Sequence, residues 1–270
     1  MTNRKVRFGV ALSGGGARGF AHIGALKALE EYGLQPDVIS GTSMGALVGV
    51  LYAAGYAPEE ISEMIRQEKF YRLIDIRPRK GGILNLKKVQ DLLTGKIEKN
   101  DFSALKKPFY VSVANLNSGE NEVRSSGKLF EFVIASCSIP VIFAPQVIDG
   151  KSYVDGGLFN NLPTEAIYEK ADVVIGVNVN HNSPVEVIGG SREIAERCFQ
   201  LGIAQNVEKS RELCDYFVDP PETRRFGTFD FPQIDRIMEV GYQEAVRVLK
   251  EEIIPDGWLP VMREKLSAKQ

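Results

Sequence analysis

The chain has 270 residues, 44% of them hydrophobic and 25% charged, enough to bury a sizeable core in one ordinary globular domain or two small ones. Its 33 Lys and Arg against 35 Asp and Glu leave a net charge of −2, which excludes the positive field that non-specific nucleic-acid binding requires. Three cysteines, Cys137, Cys198 and Cys214, form no CxxC and cannot all pair, so neither a disulfide framework nor a zinc knuckle is expected and a reducing compartment fits.

Arg4, Lys5 and Arg7 precede an apolar run, Phe8 to Leu12, that is too short for a signal-peptide core. The expected location is cytoplasmic. Arg7 to Leu12 reads as a strand that ends in a glycine cluster. Phe20, Ile23, Leu26 and Leu29 then have helical spacing within Ala17 to Tyr32, closed by Gly33. A second strand and helix follow at Asp37 to Ser40 and Met44 to Ala54. Pro58, with Glu59 and Glu60, opens a third helix. The uncharged stretch from Val38 to Pro58 has the length of a membrane span and spaces Gly41, Gly45 and Gly49 like a helix-pairing motif. Its polar start, Gly55 and Pro58 suit a strand, a turn and a buried helix better.

Lys69 to Leu84 breaks the pattern with a mixed basic and aromatic loop. Within it, Lys69 to Lys80 has the composition of a solvated loop, or of a lid in transient contact with anionic lipid. Leu86 to Leu93 is again helical, Phe109 to Asn115 alternates as a strand, and Glu122 to Ser125 returns from a turn at Ser118 to Asn121. Lys128 to Ser136 is a helix. Gln146 to Ile148 and Ser152 to Val154 flank a hairpin turn at Asp149-Gly150-Lys151 that delivers Asp155 at its exit. A short helix at Pro163 to Glu169, a buried strand at Val173 to Val179, a long helix at Glu193 to Cys214, a strand at Tyr216 to Asp219 and a last helix at Gln233 to Glu251 complete the pattern. The alternation predicts an α/β fold around a central, largely parallel sheet. No repeat or linker interrupts it, so residues 1–270 read as one domain.

Three constellations carry chemistry. In the first, Gly14, Gly16 and Gly19 satisfy GxGxxG, but the acidic residue a dinucleotide site needs at the end of the second strand is replaced there by Ser40 and Gly41. Asp37 stands before that strand. The loop still offers unhindered backbone N–H groups at a helix start, as an oxyanion hole, an anion cradle or only a tight turn. The second is GxSxG at Gly41-Thr42-Ser43-Met44-Gly45, placed between strand and helix as a nucleophile elbow requires. The third is Asp155-Gly156-Gly157, by itself an ordinary turn. A serine nucleophile needs a base, and only two histidines are available. His22, in the first helix, reads as a packing residue. His181 would complete a Ser43, Asp155, His181 triad in α/β-hydrolase chain order, although Ser43 follows the sheet's second strand, earlier than in that fold.

GGGARG at 14–19 followed by FAHIGAL, GTSMG at 41–45, ASCSIPVIFAP at 135–145 and DGG at 155–157 together resemble the patatin-like phospholipases. The likeness runs from about Val6 to about Val179 and leaves the helices of residues 190–270 without a motif. It implies a three-layer α/β/α fold and a lipid acyl hydrolase with a Ser–Asp dyad and no cofactor or metal. Carried over by position, Ser43 is the nucleophile, Asp155 its base, and Gly14, Gly15 and Gly16 the oxyanion hole. Arg18 adds positive charge, and Gly19, Gly41, Gly45, Gly156 and Gly157 support the turns. His22 matches a non-catalytic histidine of that family. Ser138 to Pro145, with Met44, Leu47 and Leu51, would line an acyl groove. The expected partner is a lipid or lipid-like ester. Two other readings stand beside this one: the triad, and a non-catalytic module whose glycine loop cradles a phosphate or nucleotide.

Overall fold

A computed structural model describes residues 6–67, 86–182, 184 and 189–254. The basic and aromatic loop from Lys69 to Lys80 lies outside them. Eight described strands form one sheet: β1 (Phe8–Leu12), β2 (Val38–Gly41), β3 (Phe109–Asn115), β4 (Glu120–Arg124), β5 (Gln146–Ile148), β6 (Lys151–Asp155), β7 (Val173–Val177) and β8 (Tyr216–Val218). The parallel part runs in the order β3-β2-β1-β7-β8, and β4, β5 and β6 add antiparallel pairings at the β3 end. Strand order reverses at β1, whose neighbours are β2 and β7. The crevice that such a reversal opens at the carboxyl ends of the strands is the usual ligand site of an open α/β sheet.

The helices are α1 (Ala21–Glu31), α2 (Met44–Ala53), α3 (Pro58–Gln67), α4 (Lys87–Lys96), α5 (Leu129–Ser136), α6 (Ser191–Arg211) and α7 (Ile234–Val248). Buried side chains fall into two clusters, as expected for a sheet covered on both faces. The larger joins Phe8, Val10 and Leu12 of β1 to residues of α1, α2, α5 and α7. The smaller joins Ala11, Val38, Leu162, Ile167 and Val174 to Val207 of α6. The uncharged stretch from Val38 is β2 and a wholly buried α2, and no helix among the described residues is long and apolar enough to cross a membrane.

Most expected elements are present with shifted ends. The first helix begins as a 3-10 turn, Gly16–Phe20, and its unpaired first-turn Ala17 N–H is taken by the carbonyl of Thr228 at 2.8 Å. The expected helix at 163–169 is two separate 3-10 turns, Thr164–Ala166 and Tyr168–Lys170. The last helix continues past Val248 as one wider π turn, Leu249–Ile253.

The register of β3 decides where the site lies. Val111 pairs with Gly41 of β2 and Arg124 of β4, so those two strands flank β3 on opposite sides. Val113 pairs with Glu122 of β4 and Asp155 of β6, so β6 lies on the same side as β2. β2 runs parallel to β3 and β6 antiparallel to it, and they meet head-on along one edge. Their carboxyl ends, Gly41 and Asp155, face rungs of β3 only two residues apart.

α1 and α7 cross at two glycines. A Cβ on Gly24 would lie 1.9 Å from the Met238 carbonyl oxygen, and one on Gly241 would lie 2.0 Å from that of Ala21. No rearrangement of a flexible side chain relieves a clash with backbone. Gly241→Ala is therefore expected to destabilise the fold by about 1–3 kcal/mol, the usual range for overpacking, read as a lower urea midpoint. An unchanged midpoint would show that the two helices are free to separate.

Candidate active site

Ser43 stands between β2 and α2 with φ 54° and ψ −124°, a backbone conformation that non-glycine residues rarely adopt and that costs roughly 1–3 kcal/mol. The surroundings hold it there. Its N–H donates to Ser136 Oγ at 2.8 Å, and that hydroxyl in turn donates to the Ser112 carbonyl at 2.7 Å. Its carbonyl accepts a long contact from Cys137 Sγ at 3.4 Å. Gly45 sits against β1, where a Cβ would come within 2.4 Å of the Leu12 carbonyl oxygen, so α2 can start tight under the strand only with glycine at that position. The result is a sharp turn with the Ser43 side chain at the head of a helix.

Asp155 ends β6 and is buried, with 4% of its surface exposed. Its backbone N–H donates to the Ser138 carbonyl at 3.0 Å, and its Oδ1 accepts from the Gly157 N–H at 2.8 Å. Burial raises the carboxyl pKa to about 6. Hydrogen bonds from the Ser43 side chain and the Gly157 amide pull it back without cancelling the effect. Gly156 lets this turn press against β3, since a Cβ there would lie 2.4 Å from the Ser112 carbonyl oxygen.

The glycine loop follows β1 and is gripped by its carbonyls. Ser13 O faces His22 Nε2 at 2.7 Å. Gly14 O accepts from Ser13 Oγ at 3.0 Å and from the Asn180 side-chain amide. Gly15 O accepts from the Arg18 N–H at 3.2 Å. In a trans peptide the C=O and the following N–H point in opposite directions. The Gly15 N–H therefore points away from Asn180, and the Gly16 N–H away from the Arg18 amide. Among the described residues nothing bonds those two amides, whereas the Gly14 N–H is taken by the Asn161 carbonyl at 3.1 Å.

His22 is wholly buried, and desolvation lowers its pKa to about 4. It is neutral at pH 7, and because a carbonyl only accepts, its Nε2 carries the proton toward Ser13. The histidine is a strut under the loop. His181 turns elsewhere: its Nδ1 lies 2.8 Å from Asp219 Oδ2, and it does not line the cleft that contains Ser43 and Asp155. Asp37 accepts from the Phe8 N–H at 3.0 Å, closing the start of β1.

Ser43, Asp155 and Gly14 to Gly16 open onto a cleft of about 450 Å³, a common size for a small-molecule site. Ile139 to Ile142 form its apolar side, and Arg18, Asn161 and Asn180 its polar side. Arg18 also ties the loop down, with Nε donating to the Phe226 carbonyl at 2.8 Å. Of the expected groove residues, Met44 and Leu47 line a smaller adjoining pocket, whereas Leu51 is in the core and lines neither cavity. Gln200, Ile203, Thr228 and Phe229 also reach the cleft, from the part of the chain in which the sequence shows no motif. Ser136 was legible only as a letter of its motif. Its role as the support of the Ser43 amide needs the fold.

The signature of the patatin-like phospholipases matches residues 10–168. Among curated proteins the chain is 29% identical to Lysophospholipase NTE1 of Mycosarcoma maydis over 93% of its own length, and 28% identical to Lysophospholipase nte1 of Aspergillus fumigatus over 97%. It spans only 15% and 19% of those two much longer proteins. An NTE family protein of Mycobacterium tuberculosis is 35% identical over 64% of this chain and 49% of its own. Of solved structures, VipD from Legionella pneumophila shares the fold at a TM-score of 0.53 and 16% identity, over 92% of this chain and 67% of that one. With the family signature covering more than half of its residues, this chain belongs to the patatin-like phospholipases.

Proposed function

We propose that the chain is a serine acyl hydrolase that cleaves acyl esters of phospholipids with a Ser43–Asp155 dyad, the lysophospholipases among its relatives pointing to substrates with a single acyl chain. The observation that carries this reading is a serine on a strained elbow that shares a cleft with a buried carboxylate, whose pKa burial raises to about 6. An ordinary aspartate, with a pKa near 4, is a poor base at pH 7, and one raised toward the working pH is a better one. The reading takes the whole chain as one domain, since the cleft draws its walls from both halves of the sequence.

In the acylation step Ser43 Oγ attacks the ester carbonyl carbon as its proton passes to Asp155. The carbonyl oxygen becomes an oxyanion facing the N–H groups of Gly15 and Gly16, whose aim is preset by the grip on the loop carbonyls. One such donor is typically worth about 3 kcal/mol in the transition state. Collapse of the tetrahedral intermediate breaks the bond to the alcohol, which leaves with the proton held by Asp155. Water, deprotonated by the same carboxylate, then attacks acyl-Ser43; the acyl–Oγ bond breaks as Asp155 returns the proton to Ser43 Oγ, and the fatty acid departs. Gly14 supports this geometry through its carbonyl and is not a donor, because its N–H is already bonded to Asn161.

A fluorophosphonate should label Ser43 alone in peptide mapping. Ser43→Ala should abolish the label. Asp155→Asn should slow labelling and ester turnover by about 10²–10⁴-fold, the usual contribution of a general base. His181→Ala should leave both within a few-fold, and its loss of turnover would restore the triad. A folded, unlabelled wild-type protein that binds phosphate esters would instead favour the anion-cradling module.

Because the base must be ionised, kcat/KM should rise tenfold per pH unit below about 6 and level off above it. A profile flat down to pH 4.5 would remove Asp155 as the titrating base. Stability should move the other way. With a folded pKa near 6 and an unfolded one near 4, the destabilisation is absent below pH 4, grows between pH 4 and 6, and is complete above. Asp155→Asn should therefore be more stable than wild type at pH 8 by up to about 3 kcal/mol, with the gap closing as denaturation is repeated near pH 4. A constant gap would separate the gain from titration of this carboxyl.

A further inference from the structure

Two cavities open onto Ser43. The outer one is the 450 Å³ cleft with its polar wall. The inner one, about 50 Å³, is lined by Met44, Leu47, Leu86, Val89 and Phe143, with Cys137 beside them. Among the described residues, no charged side chain lines the inner pocket. Gly16, Ser43, Ile139 and Phe229 border both cavities, and Phe229 is the aromatic ring among them.

Phe229 sits on a strap, residues 226–231, whose backbone is pinned on both sides of the ring. Arg18 Nε holds the Phe226 carbonyl at 2.8 Å, and the Ala17 N–H holds that of Thr228 at 2.8 Å. The Asp230 side chain accepts from the Gly227 N–H at 2.7 Å, and the Phe231 N–H bonds to the Phe229 carbonyl at 2.8 Å. The Phe231 ring packs edge-on against buried Phe20 at 5.9 Å. Phe229 keeps 37% of its surface exposed and meets Phe231 only at 6.3 Å. The strap is thus fixed, with the Phe229 ring standing between the two cavities.

We infer that Phe229 is the partition that sets acyl-chain length, with the tail of the chain running past it into the inner pocket and the alcohol portion leaving through the outer cleft, past its polar side. The inference rests on the acyl hydrolase reading. Burial energetics choose the direction. Apolar walls line both cavities, so a hydrocarbon tail gains in either, but a polar leaving group keeps its hydrogen bonds only in the outer cleft, where Arg18, Asn161 and Asn180 stand, and this leaves the inner pocket to the tail. At 50 Å³ the inner pocket has the space of about two water molecules, so with the ring in place it accepts little more than the end of a short chain. Turning or removing the ring joins the two cavities.

The test uses p-nitrophenyl esters from butyrate to laurate, with every variant normalised to its Ser43 by fluorophosphonate titration. Phe229→Ala should move the optimum of kcat/KM toward longer chains, by up to about fourfold for each methylene newly buried, and Phe229→Leu should move it part of the way. Phe229→Trp should move it toward shorter ones. Leu86→Trp, which fills the inner pocket from its far wall, should cancel the gain when combined with Phe229→Ala. An unchanged optimum in Phe229→Ala or Phe229→Leu, or a gain that survives Leu86→Trp, would overturn the inference and leave the hydrolase reading standing. If wild-type protein neither turns over any ester nor takes the label, the hydrolase reading itself falls.

Discussion

The meeting of β2 and β6 along one edge of β3 is the constraint on which the rest of the site depends. A parallel strand ends there beside Ser43, and an antiparallel one arrives from the opposite direction and ends on Asp155, at rungs of β3 two residues apart. Both side chains are carried by the rigid sheet, not by long loops. A one-residue slip of either pairing would turn that strand's side chains to the other face and separate the two groups. The small residues around the junction follow from this geometry. Gly45 and Gly156 lie where a Cβ would strike backbone of β1 and β3, so the two turns can close at all only because side chains are missing there.

The site concentrates unfavourable features that the surrounding core sustains. Ser43 has a strained backbone, Asp155 a buried carboxylate, and two glycines that line the cleft have amides with no bonding partner among the described residues. Each costs stability in the resting protein, and in the proposed reaction each is of use only when a reacting group arrives. In the proposed reaction, amides oriented in advance would leave nothing to reorganise, which is where electrostatic stabilisation of a developing oxyanion has its largest effect. The loop achieves this indirectly. His22, Asn180 and the Ser13 hydroxyl hold carbonyls, and the planarity of the peptide does the aiming.

The carboxyl-terminal third of the chain, which carries no motif, completes the cleft. α7 packs on α1 through the glycine crossing, and the strap that precedes it is hydrogen-bonded to Ala17 and Arg18 of the glycine loop. One segment therefore both braces the glycine loop and supplies Phe229 as a wall. Shape of the cavity and rigidity of the loop are coupled through the same few hydrogen bonds, so substitutions of the backbone-fixing residues would disturb both, whereas the Phe229 ring can change without moving the strap.

The sequence by itself determined the order of strands and helices, because apolar periodicity and glycine breaks are local properties. It also determined the chemical types at Ser43, Asp155 and the glycine loop, because a sharp elbow and a close backbone approach restrict which residues can stand there. It left open what only tertiary structure decides. Whether His181 or Asp155 serves Ser43 depends on the pairing of β7 with β8, which sets His181 against Asp219, and of β3 with β6. Which glycine amides stay available depends on Asn161 and Asn180, about 150 residues or more away along the chain. Ser136, Thr228 and Phe229 are ordinary residues in any local window, and they matter only because distant segments fold against the ends of β1 and β2. Contacts between residues so far apart leave no periodic trace in the chain, which is the physical reason they could not be read from it.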